Sequence, residues 1–190
     1  MKNKGFTMIE LLVVIAVIGI LAVAVLSAIN PIEQINRGRD TGSRSDAEQL
    51  ISAIDRYYAT NGYYPWQAGA TDANTNTGWE AVAASWIETD PLLSGIVLDK
   101  LSAAGTAELK LSFTNRIVET DYNTLYVYNR GNTGDSTYVC FQPKSANFKT
   151  EANNRAGVDC AGFPADLQSA TCLILCPTVG TETVCYSCLP

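Results

Sequence analysis

Histidine is absent from this chain of 190 residues, and charged side chains make up only 17% of it. The lack of histidine removes the commonest general base of enzymes and the commonest metal ligand of proteins. Acidic residues outnumber lysine and arginine by 19 to 13, which gives a formal net charge of −6. An acidic chain repels phosphate backbones, so we expect no specific nucleic-acid partner. We also expect no enzymatic activity and no cofactor.

Cysteine is missing from the first two thirds of the chain and concentrated in the last third. An even number of cysteines in an exported chain favours disulfides, although the sequence leaves their pairing open. Two alternatives remain: a four-thiolate zinc site from Cys172, Cys176, Cys185 and Cys188, or a redox pair of Cys185 and Cys188. We predict structural disulfides and no metal site, with six candidate residues: Cys140, Cys160, Cys172, Cys176, Cys185 and Cys188.

Charge is almost absent from residues 6–29, where Glu10 is the single charged side chain. A helix over this segment rises about 36 Å, which is enough to cross a hydrocarbon core of about 30 Å. Composition alone leaves three interpretations open. The segment is a secretory signal peptide cleaved after Ala24, a plain signal anchor for an extracellular domain, or a short basic leader followed by a retained apolar helix.

Glu10 distinguishes these interpretations. A carboxylate within an apolar membrane segment costs a few kcal/mol unless it is paired or close to the headgroups. Neither a signal peptide nor a plain anchor has a use for such a group. A segment that meets a positive charge in the membrane does have one.

The sequence from Lys4 to Ala16, KGFTMIELLVVIA, resembles the prepilin motif of type IV pilins and type II secretion pseudopilins. The resemblance implies that a prepilin peptidase cuts between Gly5 and Phe6, and that the new Phe6 amine is methylated. It also implies that Glu10 acts in assembly, where it can pair with the Phe6 amine of a neighbouring subunit. Such a pair adds little net stability, but it penalises every wrong register because a misplaced subunit leaves a buried charge unpaired.

The resemblance implies further partners and a location. The chain would polymerise with itself, as a helical homopolymer or in a mixed filament, with an assembly platform and an ATPase. It would begin as a single-pass precursor in the inner or cytoplasmic membrane and end in a filament on the cell surface. A secretion pseudopilin is an alternative within this class. A membrane-anchored thiol redox protein that uses Cys185 and Cys188 is the alternative from another class.

The remaining pattern predicts an α+β fold. It has a small antiparallel sheet packed against a helix and a cysteine-rich C-terminal tail. The resemblance implies that this helix is the second half of one long N-terminal helix, whose apolar first half protrudes. The predicted segments are a leader (residues 1–5), a transmembrane and polymerisation helix (6–29), a kinked or flexible segment (30–44), an α+β globular domain (45–142) and a disulfide-rich region (143–190).

Local signals add detail to this fold. Pro31, Gly38 and Gly42 predict a kink or unwound stretch within residues 30–44, with Gly19 as a second candidate. An apolar stripe then predicts a helix that ends near Asn61 and Gly62. It comprises Ala47, Leu50, Ile51, Ile54, Tyr57 and Tyr58.

Alternation of apolar and polar residues predicts strands over 109–113, 125–128 and 137–141, with a hairpin loop at 129–136. Residues 79–87 and 92–101 are predicted as short helices. The arginines of the long helix, Arg37, Arg39, Arg44 and Arg56, are expected to pair with nearby acids, namely Glu33, Asp40, Asp46 and Asp55.

Overall fold

The structure is a computed structural model that describes residues 5–73, 75–86, 97–102, 106–168, 172–179 and 182–190. Most of the predicted leader (1–4) and much of the two predicted short helices (87–96) lie outside the described residues. The chain divides into two units, Met1–Ile35 and Asn36–Pro190, and each is described by itself.

The first unit contains an apolar helix, α1 (Met8–Ala28), and the start of a second helix, α2 (Pro31–Asn61). Ile29 at the end of α1 has an extended backbone. The Asn30 side chain accepts a hydrogen bond from the Glu33 N–H at 3.3 Å, as a helix N-cap does. Pro31 suits the first position of α2 because it has no N–H to leave unsatisfied, and its ring disfavours a helical Asn30.

The unwinding expected within residues 30–44 is therefore restricted to Asn30, the first residue of that segment. From Pro31 onward α2 is continuous through Gly38 and Gly42, and Gly19 also lies in regular helix. A glycine weakens a helix by about 1 kcal/mol relative to alanine. Buried residues on the same stretch of α2, Asp40 and Ser43 among them, offset that cost by anchoring the helix.

In the second unit, α2 buries one face at helical spacing and ends as predicted. Asn61 is its last residue, and Gly62 follows with φ +77°, a left-handed conformation that glycine adopts without strain. Tyr58 is an exception to the predicted stripe, since its side chain is 45% exposed. The buried residues of α2 are Asp40, Ser43, Asp46, Ala47, Leu50, Ile51, Ala53, Ile54 and Tyr57.

A four-stranded antiparallel sheet packs on this face. Its strands are β1 (Thr77–Ala81), β2 (Leu125–Asn129), β3 (Tyr138–Phe141) and β6 (Ser187–Leu189), in the order β1-β2-β3-β6. Val127, Val139 and Phe141 join the buried face of α2 in one core. Tyr128, Tyr138 and Cys140 point to the other face and form a second core with α5 (Ala146–Ala156).

Shorter elements complete the second unit. They are the helices α3 (Val97–Leu101), α4 (Leu111–Ile117), α6 (Ala165–Gln168) and α7 (Cys172–Leu175), the 3₁₀ turns Ala84–Trp86 and Val158–Cys160, and a two-stranded sheet of β4 (Thr178–Val179) and β5 (Glu182–Thr183).

Two local predictions are wrong. The alternation at 109–113 does not form a strand, because α4 begins at Leu111 and buries Phe113, Thr114 and Ile117, which share a helical face. The start of the predicted helix at 79–87 is strand β1, followed by the 3₁₀ turn. The hairpin of β2 and β3 and the α+β class are confirmed.

Candidate assembly site

The predicted cleavage site lies before the first helix. Gly5, Phe6 and Thr7 are exposed and non-helical, and α1 begins only at Met8. Thr7 has an extended backbone with φ −83° and ψ 149°. A peptidase that binds an extended substrate therefore does not have to unwind α1 to reach the bond between Gly5 and Phe6.

Glu10 lies one turn into α1 and folds back onto Thr7. Its Oε2 accepts hydrogen bonds from the Thr7 N–H at 2.8 Å and from the Thr7 hydroxyl at 2.6 Å. The Glu10 N–H in turn donates to the Thr7 hydroxyl at 3.3 Å. This reciprocal capping box satisfies two donors at the start of the helix. It also brings the carboxylate back to Thr7, at the N-terminal end of α1.

Thr7 is a residue that the sequence reasoning missed. Threonine followed three positions later by glutamate, just before an apolar run, is a recognised sign of a helix start. Thr7 and Glu10 match this pattern in the sequence, but the prediction of an intermolecular partner for Glu10 does not make use of it.

The rest of α1 is apolar on every side and exposed. Within the described residues, one helix is long and apolar enough to cross a membrane, and it covers Met8–Ser27. None of that span is buried within the chain. A signal sequence meets the same criterion, so this property alone does not choose among the three interpretations of the N-terminus.

Three disulfides cross-link the C-terminal region, and they use all six cysteines. Cys140–Cys188 joins β3 to β6, where the two residues are paired in register. The other two bridges are Cys160–Cys172 and Cys176–Cys185.

The predicted disulfides are thus confirmed, and the two alternatives do not fit this arrangement. The proposed zinc set is divided among three bridges. Cys185 and Cys188 are bonded to different partners, so they are not a redox pair.

Two buried carboxylates connect α2 to the rest of the second unit. Asp40 accepts hydrogen bonds from the backbone N–H groups of Lys144 and Ser145. Asp46 binds both terminal nitrogens of Arg116 at 2.8 Å, and the hydrogen bond with Asp46 raises the pKa of Arg116. Among the described residues, Asp40 and Asp46 form no ion pair with an arginine of α2, so the pairing expected for these two acids is not observed.

The arginines Arg44 and Arg56 also have partners outside the predicted set. Arg44 lies 3.7 Å from Glu48 and 3.5 Å from Glu151, and Arg56 lies 2.5 Å from Glu108. These side chains are at least partly solvated, so the pairs contribute little stability.

Comparisons with known proteins agree with the N-terminal sequence motif. The model of the prokaryotic N-terminal methylation motif matches residues 1–26. A type IV major pilin protein of Neisseria gonorrhoeae is 27% identical over 184 residues, covering 93% of this chain and 94% of the relative. A fimbrial protein of Neisseria meningitidis serogroup B is 28% identical over 152 residues, covering 80% and 81%. No solved structure matches this chain.

These matches show what the chain is similar to, at its N-terminus and along most of its length. It carries an N-terminal methylation motif and is similar to type IV major pilins over most of its length. The predicted resemblance to the type IV pilin family is thereby confirmed.

Proposed function

We propose that this chain is a structural subunit of a type IV pilus-like surface filament, matured by cleavage after Gly5 and assembled through α1. The leader is residues 1–5, and residues 6–29 are first the membrane anchor and then the polymerisation helix. Residues 45–142 and 143–190 form the part displayed on the filament. The similarity to major pilins favours a pilus over a secretion pseudopilus.

The observation that carries this proposal is the position of the Glu10 carboxylate. Its Oε2 is held by Thr7, whereas no described residue donates a hydrogen bond to Oε1. Cleavage after Gly5 would create an ammonium group at Phe6. Once α1 is packed among other copies, Oε1 of one subunit can then accept a hydrogen bond from the Phe6 ammonium group of a neighbour.

The apolar surface of α1 suits both of its proposed environments. Lipid chains are as apolar as leucine, so transfer of α1 from the membrane to a helical bundle gains little hydrophobic free energy. Assembly therefore depends on an external energy source, for which the resemblance implies an assembly platform and an ATPase. In this proposal the partners of the chain are its own copies, the membrane, a prepilin peptidase and that machinery.

The first test is N-terminal sequencing of the mature chain. The proposal expects a methylated Phe6 at the new terminus. A mature chain that begins at Val25 would establish a secretory signal peptide, and an uncut chain would establish a plain anchor. Either result would remove the basis for the proposal.

The second test is Glu10→Gln, with Glu33→Gln as a matched control at an acid beyond the apolar helix. E10Q removes the charge that the Phe6 ammonium would meet. Leaving one charge unpaired in an apolar core costs about 3 kcal/mol, so filament yield should fall by roughly 100-fold while cleavage continues. E33Q should assemble normally. Filament yield is counted by electron microscopy, and immunoblots detect the cut chain. Equal filament yields for E10Q and E33Q would refute the role of Glu10.

A further inference from the structure

Two of the three disulfides lie directly against each other. The Sγ atoms of Cys160 and Cys176, which belong to different bridges, are 3.6 Å apart. Together with the Sγ of Cys172 they all lie within 4.8 Å of one another. Cys185 is bonded to Cys176 and adds a fourth sulfur. These four residues are called the sulfur cluster below.

The spacing within the sulfur cluster matches that of a thiolate zinc site. Zinc binds four thiolates tetrahedrally with Zn–S bonds of about 2.3 Å, so neighbouring sulfurs lie about 3.8 Å apart. The two bridges already hold their nearest sulfurs at a similar distance. Once the S–S bonds are broken, the bonded sulfurs need to separate by only about 2 Å to reach tetrahedral positions.

Contacts other than the disulfides hold the cluster's backbone in place. The Cys176 N–H donates to the Cys172 carbonyl at 2.8 Å, and the Cys185 N–H donates to Asn153 Oδ1 on α5 at 2.8 Å. Leu167 and Leu175 are fully buried in the same core. These contacts do not depend on the oxidation state of sulfur, so the four side chains should stay close together after reduction.

The burial of the cluster also suits a metal site. Cys160 and Cys185 are buried, whereas Cys172 and Cys176 are half-buried. A site with two inner and two outer ligands leaves a route by which an ion can enter. Cys140 and Cys188 are bonded to each other within the sheet and lie outside this set.

We propose that the sulfur cluster binds one Zn²⁺ ion when its two disulfides are reduced. The ligands are Cys160, Cys172, Cys176 and Cys185, a set that differs from the one considered from sequence by including Cys160 in place of Cys188. With a phosphine reductant, each disulfide and one water give two thiols and one phosphine oxide. Binding of Zn²⁺ by the four thiols then releases four protons.

The consequence is a C-terminal region that keeps its shape in two redox states. Disulfides cross-link it in oxidising surroundings, and the metal ion would do so in reducing ones. Loss of both bridges without a metal would leave the region to its hydrogen bonds and its small apolar core. This inference does not rest on filament assembly, so the two can fail separately.

The test compares three double variants of the detergent-solubilised full chain, each lacking one disulfide and keeping four cysteines. C140S/C188S retains the whole sulfur cluster, whereas C160S/C172S and C176S/C185S each remove half of it. After phosphine reduction and removal of excess reagent, Zn²⁺ is titrated against a competing colorimetric chelator. Proton release and the spectrum with Co²⁺ report the number of thiolate ligands.

We expect the reduced wild-type chain and C140S/C188S to bind one Zn²⁺ with tetrahedral thiolate coordination. The two cluster variants should bind at least about 100-fold more weakly, since even loss of an outer-shell partner of a metal site costs 10–100-fold. Equal binding by all three variants would mean non-specific thiol chelation and would overturn the proposal. So would no binding by the reduced wild-type chain, which is informative even if C140S/C188S fails to fold.

Discussion

Asp40→Ala offers a sharp test of how α2 is attached to the second unit. The Asp40 side chain is completely buried. Its carboxylate accepts hydrogen bonds from the Lys144 N–H at 3.0 Å, the Ser145 N–H at 2.7 Å and the Ser145 hydroxyl at 2.6 Å. Ser145 is also the N-cap of α5. One carboxylate on α2 therefore positions the connection from β3 to α5.

The expected loss in the free energy of unfolding follows from the hydrogen-bond donors that the substitution leaves without an acceptor. D40A removes the acceptor of two backbone N–H groups and one hydroxyl. Each buried polar group left unsatisfied costs about 1–3 kcal/mol. Lys144 is exposed, so water can replace part of the loss at its N–H. We expect D40A to lower the free energy of unfolding by about 3–5 kcal/mol. D40N keeps one carbonyl acceptor and should lose less, about 2 kcal/mol.

The assay is urea unfolding of the full chain in detergent, followed by tryptophan fluorescence. All three tryptophans, Trp66, Trp79 and Trp86, lie in the second unit. Asp55→Ala is the matched control, because Asp55 is an exposed carboxylate on the same helix. A substitution there should change stability by less than about 0.5 kcal/mol. If D40A fell within about 1 kcal/mol of D55A, the view of Asp40 as the attachment point would be wrong.

Three further predictions concern other parts of the chain. Thr7→Val should reduce filament yield without blocking cleavage, and Thr7→Ser should restore it, because only the hydroxyl that binds Glu10 differs; equal yields would contradict this. Burial and a hydrogen bond to Asp166 raise the pKa of Tyr138 to about 12. The stability contributed by the raised pKa of Tyr138 should be present below pH 10 and lost as the pH rises through 12. Y138F should remove the loss of stability over this pH range from an alkaline unfolding curve. The disulfide Cys140–Cys188 joins residues 48 apart in sequence, and Cys176–Cys185 joins residues 9 apart. Removing the first, in C140S/C188S, should lower the free energy of unfolding by about 4 kcal/mol, and removing the second, in C176S/C185S, by about 2.5 kcal/mol, as measured by thermal unfolding. The reverse order would show that the entropy of loop closure does not dominate.

Sequence patterns predicted the elements in which local preference and burial agree. The stripe from Ala47 to Tyr57 keeps helical spacing, and Gly62 suits the left-handed position that ends α2. The hairpin was predictable because β2 and β3 are rich in aromatic and β-branched residues and are separated by a loop with two glycines at positive φ. In each case a single short segment carries enough information to specify its own structure.

Predictions failed where packing between distant segments decides the outcome. The alternation from Leu109 to Phe113 fits a strand, but Leu111 stays exposed at the start of α4. Trp79 lies in β1 because that segment pairs with β2, a partner more than 40 residues away in the chain. Disulfide pairing has the same origin, since Cys140 and Cys188 meet only when β3 and β6 pair in register.

The sequence predicted one of the two residues of the candidate assembly site, Glu10, but not its local partner. The cost of Glu10 in an apolar segment predicts a partner in another copy, but it does not identify the nearer partner, Thr7. The proposed contact with another copy is compatible with the Thr7 contact, because Thr7 binds only one carboxylate oxygen.

A carboxylate with no local partner would be costly throughout the life of a subunit in the membrane. In the proposed filament subunit, the Thr7 contact would offset part of that cost within each chain before assembly. The remaining oxygen would then favour only those arrangements that bring a positive charge to it. On this proposal, the capping box would let one residue be tolerated in lipid and still discriminate between correct and incorrect neighbours, which a wholly apolar helix does not do.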